Sequence, residues 1–119
     1  MFTMYLFSKM AKALSDENRL KMLKLLTEKD ICVCEMNELF PMSHSQISRS
    51  LNILFNAGFL KRWRDGKCVV YMADRVNDNM YCQKMLNLIT DSFNEDESIQ
   101  KLREKLQQTI EYKVRERSR

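Results

Sequence analysis

Residues 43–71 constrain this chain more tightly than any other stretch. Ser43 followed three residues later by Gln46 is a capping box, which starts a helix, and Gly58 stands where a helix usually stops. Between them Ile47, Leu51, Leu54 and Phe55 share one apolar face, leaving Ser45, Gln46, Ser48, Arg49 and Asn52 on the polar remainder. A shorter helix is predicted over Glu35 to Phe40, ended by Pro41, because the residue before a proline is pushed out of the α region. Two helices joined by a short turn, the second with a polar outer face, make the helix-turn-helix pattern. Phe59 to Arg64 and Lys67 to Met72 then read as two strands around Asp65-Gly66, a dipeptide favoured in tight primed turns. A two-residue turn at that dipeptide sets Arg64 opposite Lys67, Arg62 opposite Val69 and Trp63 opposite Cys68. One face then carries Arg62, Arg64 and Lys67, and the other Trp63, Cys68 and Val70. A cationic hairpin after a helix-turn-helix is a wing, whose tip can reach phosphates or a minor groove.

Charge supports the same assignment. The chain has a net charge of +4 over 119 residues. Between Ser43 and Tyr71, Arg49, Lys61, Arg62, Arg64 and Lys67 face only Asp65 in opposition, so that quarter of the chain carries the whole excess. A basic excess so confined is the footprint expected of a surface for double-stranded DNA.

Two glycines and one proline argue for long helices joined by few turns. Ser15-Asp-Glu-Asn opens one of them with a capping hydroxyl and early acids, and Leu20, Met22, Leu23, Leu25 and Leu26 give it a wide apolar stripe to about Glu28. Asp78 is expected to begin another, with Cys82, Met85, Leu86, Ile89 and Phe93 on one stripe. After an acidic stretch at 94–97, Ile99, Leu102, Leu106, Ile110 and Val114 continue at helical spacing. The expected fold is mainly α with a small β-hairpin, a winged helix-turn-helix made dimeric by its terminal helices. Residues 1–94 would form the DNA-binding domain, with the N-terminal and 78–94 helices in dimerisation, and 95–119 an amphipathic C-terminal helix of the same domain. The long amphipathic end and the apolar Phe2 to Leu14 segment both suggest a homodimer interface.

No run approaches the ~18 apolar residues of a membrane span, and the apolar N-terminus lacks the basic lead and cleavage site of a secretory signal. A reducing cytoplasm is the expected location, so the four cysteines are candidates for metal or redox chemistry and not for a disulfide framework. Cys32 and Cys34, one residue apart, lie just upstream of the helix-turn-helix.

Taken together, these residues resemble the ArsR/SmtB family of winged-helix repressors, over about Leu14 to Tyr71. The likeness rests on Leu14-Ser-Asp-Glu-Asn-Arg-Leu20, Ile31-Cys-Val-Cys-Glu-Met36, Ser43 with Gln-Ile-Ser-Arg-Ser-Leu51, and Asp65-Gly-Lys with Val-Tyr71. The resemblance implies a homodimeric repressor that leaves its promoter when an inducer binds. It supports Ser48 and Arg49 as DNA-facing, and the Cys-Val-Cys motif looks like the trivalent arsenic and antimony site of the family's arsenic-responsive branch. Soft thiolates suit such an ion, or a soft divalent metal. A third cysteine commonly follows three residues after the pair; here Asn37 stands there, which leaves Cys68 or Cys82, within the chain or across a dimer, or a small cellular thiol as the third donor. Both Cys68 and Cys82 also fit as core residues. On an ideal helix, positions i and i+2 diverge by ~200°, so an ion bridging Cys32 and Cys34 is expected to distort the helix start.

The residues expected to meet DNA are Ser43, His44, Ser45, Gln46, Ser48 and Arg49 on the helix and Arg62, Arg64 and Lys67 on the wing. Gln46 can pair with adenine and Arg49 with guanine. His44, the one histidine, excludes a histidine-rich zinc site. No constitutive cofactor, nucleotide fingerprint or catalytic constellation is evident, so an enzyme is not expected. Two other functions stay open at this point: a regulator whose cysteines sense oxidation, and a winged-helix module whose C-terminal helix binds a protein partner.

Overall fold

The computed structural model describes residues 3–117, with side chains to residue 113. The element order is α1 (Met4–Ala13), α2 (Glu17–Glu28), β1 (Ile31–Cys32), α3 (Val33–Leu39), α4 (His44–Asn56), β2 (Leu60–Asp65), β3 (Cys68–Ala73), α5 (Met80–Asp91) and α6 (Glu97–Arg117). Six helices thus surround a small antiparallel sheet of order β1-β3-β2. Phe2 lies outside the described residues, as does the side chain of Val114.

Local signals explain most boundaries. The capping box at α4 forms as expected: Gln46 N donates to Ser43 Oγ, and Ser43 N donates to Gln46 Oε1. Phe40 adopts the extended conformation its following proline imposes, and α3 stops there. Asp16, and not Ser15, caps α2 by accepting from Arg19 N at 2.9 Å, while Ser15 Oγ donates back to Lys12 O to close α1. A carboxylate at the helix start also meets the positive end of the dipole, which a hydroxyl does not. Helix α5 begins at an Asn79 cap, one residue later than expected, and ends before Phe93, which takes φ 66° outside the helix and leaves the apolar stripe.

The core lies beneath α4. Met22, Leu23, Leu25 and Leu26 of α2 pack with Met36 and Leu39 of α3, Ile47, Leu51 and Leu54 of α4, Phe59, Leu60 and Tyr71 of the sheet, and Cys82, Leu86 and Ile89 of α5. Gly58, at φ 97°, ends α4 and has Cys82 Sγ close by; an added Cβ would sit 3.3 Å from that sulfur. Lys24 is buried in this core, where its ammonium donates to Ile89 O and Thr90 O at the negative end of α5 and lies 3.4 Å from Glu28.

Two further expectations change. The hairpin turn is Gly66-Lys67, with Asp65 paired to Cys68, Arg64 to Val69, Trp63 to Val70 and Arg62 to Tyr71. Gly66 carries φ 62°, while Asp65 and Lys67 do not have positive φ. That is the pattern of a primed turn with glycine first, so the strand extends one residue beyond the expected end. Because both strands shift together, the facing sets survive: Trp63, Val70 and Cys68 still share one side, and Arg62 and Arg64 the other. Helix α6 also differs, because its stripe is turned inward. Ile99 and Leu106 are buried, Leu102 and Ile110 half-buried, and Arg103 binds Glu28 of α2 through two nitrogens. Much of the apolar surface left open belongs to α1 and α5, at Met4, Tyr5, Met80 and Leu88, with Phe7 and Tyr81 meeting edge to face at 5.5 Å.

Candidate functional site

On the polar side of α4, His44, Ser45, Arg49 and Asn52 are exposed and Ser48 is half-exposed. Ser43 and Gln46 are exposed too, but each already spends an oxygen on the capping box, so the Gln46 side chain is held along the helix start. Arg64 and Lys67 are exposed near the wing tip. Arg62 is exposed as well, and it is also engaged within the molecule. Its guanidinium stacks 3.9 Å from the Phe55 ring centre and donates to Asn52 Oδ1 and Tyr71 Oη. It therefore braces the recognition helix against the wing. That brace follows from the Arg62–Tyr71 register pair, which no sequence spacing announces.

The sulfur corner lies on the far side of β3. Cys32 ends β1 and caps α3: Glu35 N donates to Cys32 Sγ, and Cys32 N donates to Glu35 Oε1 at 2.9 Å. As a cap it has extended backbone, and so the ~200° divergence of an ideal helix does not apply to it. Its sulfur turns toward Cys34 in the first helical turn, at 2.7 Å. No helix distortion is needed to bring the two together. Cys68, at the start of β3, places its sulfur 3.4 Å from that of Cys34. Among the described residues, Cys32, Cys34 and Cys68 form a group whose sulfurs all lie within 4.8 Å of one another. Cys82 is elsewhere, wholly buried beside Met10 and Ala57 O. Burial pushes its thiol up to about 11, which suits an inert core sulfur.

A residue the sequence reading passed over completes the corner. Lys113 of α6 donates to Cys34 Sγ at 3.1 Å and to Cys32 Sγ at 3.6 Å. Partial burial works against a charged Cys34, but hydrogen bonds from Cys32, Lys113 and Cys68 outweigh it and hold this thiol below its ordinary value. Cys32 moves the other way: burial, with the hydrogen bond to Cys34, pushes it up to about 12. Cys68 is also raised, by its hydrogen bond to Cys34 and that neighbour's charge. Burial disfavours the Lys113 ammonium, yet the two sulfurs and Glu35 hold its proton more tightly than in water. The arrangement sets one thiol whose charged form is favoured against two whose charged forms are disfavoured, and a thiophilic ion held there would displace their protons.

The architecture is that of winged helix-turn-helix regulators. HlyU from Vibrio cholerae N16961 matches with a TM-score of 0.61 at 22% identity, over 71% of this chain and 88% of that one. The homodimeric winged helix-turn-helix DNA-binding domain Mb0332 from Mycobacterium bovis gives 0.60 at 21% identity, over 71% and 75%. In sequence, the cadmium resistance transcriptional regulatory protein CadC of Listeria innocua is 35% identical over 89 residues, 74% of this chain and 69% of that protein. The arsenic resistance transcriptional regulator ArsR1 of Pseudomonas putida is 39% identical over 61 residues, 50% of this chain and 48% of that protein. The family described as bacterial regulatory protein, arsR family, matches residues 16–62. This chain belongs to the arsR family: it is a DNA-binding transcriptional regulator and not an enzyme. No helix among the described residues is long and apolar enough to cross a membrane.

Proposed function

We propose that the chain is a cytoplasmic, homodimeric repressor that leaves its DNA operator when Cys32, Cys34 and Cys68 capture a thiophilic metalloid or soft metal ion. The observation that carries this reading is the three sulfurs within 4.8 Å, on elements that also hold the DNA-facing surface in place. Arg49 and the exposed serines of α4 enter a major groove, and Arg64 and Lys67 contact phosphates beside it. The dimer forms through the open apolar faces of α1 and α5, and sets two recognition helices about 34 Å apart on successive grooves.

Soft thiolates fit the ion class, and three of them within one protomer fit a trigonal ion. The route from ion to DNA is short. Cys68 stands on β3 three residues before Tyr71, and the Tyr71 hydroxyl accepts from Arg62, which also donates to Asn52 of the recognition helix. Cys32 caps α3, the helix preceding α4 in the helix-turn-helix. An ion that tightens the three sulfurs draws on both connections, and release needs a coupling of only ~1–3 kcal/mol.

The 2.7 Å approach of Cys32 and Cys34 supports a second reading, in which an oxidant takes two electrons and two protons from the thiols and leaves a disulfide. Fluorescence anisotropy of an operator duplex separates the two. Arsenite, antimonite or cadmium is expected to release the wild-type protein, and Cys32→Ser and Cys34→Ser to stay bound with unchanged duplex affinity. Release by peroxide alone would establish the oxidation reading instead.

A further inference from the structure

The Lys113 ammonium sits directly against these sulfurs, 3.1 Å from Cys34 Sγ and 3.6 Å from Cys32 Sγ. Neither Lys113 nor Cys68 falls within the 16–62 span shared with the family. The lysine arrives from a distant element that is secured elsewhere. The first half of α6 is fixed by buried Ile99 and Leu106 and by the Arg103–Glu28 pair, whereas its far end meets α3 beside an open cleft of about 420 Å³ lined by Glu38, Thr109 and Tyr112. Lys113 itself lines that cleft, which leaves its side chain room away from the sulfurs. Besides the sulfurs, Glu35 is the carboxylate that acts on it, and Glu35 is already committed to the Cys32 N–H.

The charge of the occupied site then depends on the ion. Trihydroxy arsenite and three thiols condense to a neutral tris-thiolate and three waters. A divalent cation and three thiols give a tris-thiolate with one negative charge and three released protons. In the first case a half-buried ammonium faces a neutral group; in the second it faces an anion that it neutralises. A buried charge without a counter-charge is the costlier arrangement.

We propose that Lys113 is a positioning residue through which this site sorts thiophilic ions by charge: a soft divalent cation keeps the lysine and the end of α6 docked, and a trivalent metalloid releases both. The proposal rests on the reading of Cys32, Cys34 and Cys68 as the inducer site. It makes α6 a reporter of which ion is bound, and not a passive cover.

The test titrates the full chain with sodium arsenite alone and with cadmium chloride alone, following sulfur-to-ion charge-transfer absorbance, in wild type, Lys113→Leu and Lys113→Arg. Amide exchange across 109–117 is read in parallel. Lys113→Leu is expected to weaken cadmium about tenfold relative to arsenite, within the usual range of such couplings, and Lys113→Arg to restore the wild-type ratio. Arsenite, and not cadmium, is expected to speed exchange at the end of α6 in the wild type. An unchanged affinity ratio in Lys113→Leu, or equal exchange with both ions, overturns the role of Lys113 while leaving the inducer site standing. Absence of any charge-transfer band in the wild type overturns the inducer site itself, and this proposal with it.

Discussion

The DNA-facing half and the sulfur corner sit on opposite sides of one strand, β3, and are assembled by opposite means. The recognition helix and wing are set by near neighbours: a cap spanning three residues, a glycine at a helix end, a two-residue turn. The corner gathers Cys34, Cys68 and Lys113 across separations of 34 and 79 residues. A surface made from local rules can be altered one residue at a time. A cluster made from distant elements exists only when the whole core is in place. In the proposed reading the regulator combines a robust DNA-reading surface with a trigger that depends on global structure, and β3 joins them.

The most severe way to break the contrast is to damage the shared core. Ile47 is wholly buried on the inner face of the recognition helix. Ile47→Ala is expected to lose about 2–5 kcal/mol of folding stability. Duplex binding and thiol protection should then vanish in a single denaturant transition, and two separate transitions would show that the halves fold independently. A milder cut should separate them. Arg49→Ala or Arg64→Ala is expected to cost roughly 1–3 kcal/mol in duplex affinity, and losing the wing cation should also flatten the salt dependence. Both variants should keep the wild-type ion absorbance, measured by titration of the free protein.

The smallest effect sharpens the corner alone. Cys34 is held below the ordinary thiol value of 9.0, so below that pH it carries more thiolate than a free cysteine. Iodoacetamide at neutral pH is therefore expected to label Cys34 ahead of Cys32 and Cys68, by peptide mass mapping. Against Cys32 the advantage should persist through the free-thiol range and close only as pH nears the value of about 12 to which that thiol is pushed. Equal labelling of all three at neutral pH would contradict the Lys113–Cys34 contact.

What could be read in advance follows the same division. The capping box of Ser43 and Gln46, the stop at Pro41 and the two faces of the hairpin were legible because each depends on a few adjacent residues. The pairing register was not: Asp65-Gly66 and Gly66-Lys67 place the same residues on the same faces, and only the φ values of Gly66 and its neighbours distinguish them. Cys32 and Cys34 stood out as a pair, but their convergence depends on Cys32 being a cap outside the helix, a one-residue boundary that periodicity cannot resolve. The inward turn of α6 was hidden because an amphipathic stripe says that a face is covered and not what covers it. Arg103 and Lys113, which tie α6 to Glu28 and to the sulfurs, look like ordinary surface cations in the sequence.

Cys68 belongs to both halves, being a sulfur of the corner and the first residue of the strand that carries Tyr71. Its substitution tests the link most directly, by measuring operator affinity with and without arsenite for the wild type and Cys68→Ser. Equal affinity is expected without arsenite, with release lost or strongly blunted in the variant. Full release of Cys68→Ser at the wild-type arsenite concentration would contradict that link.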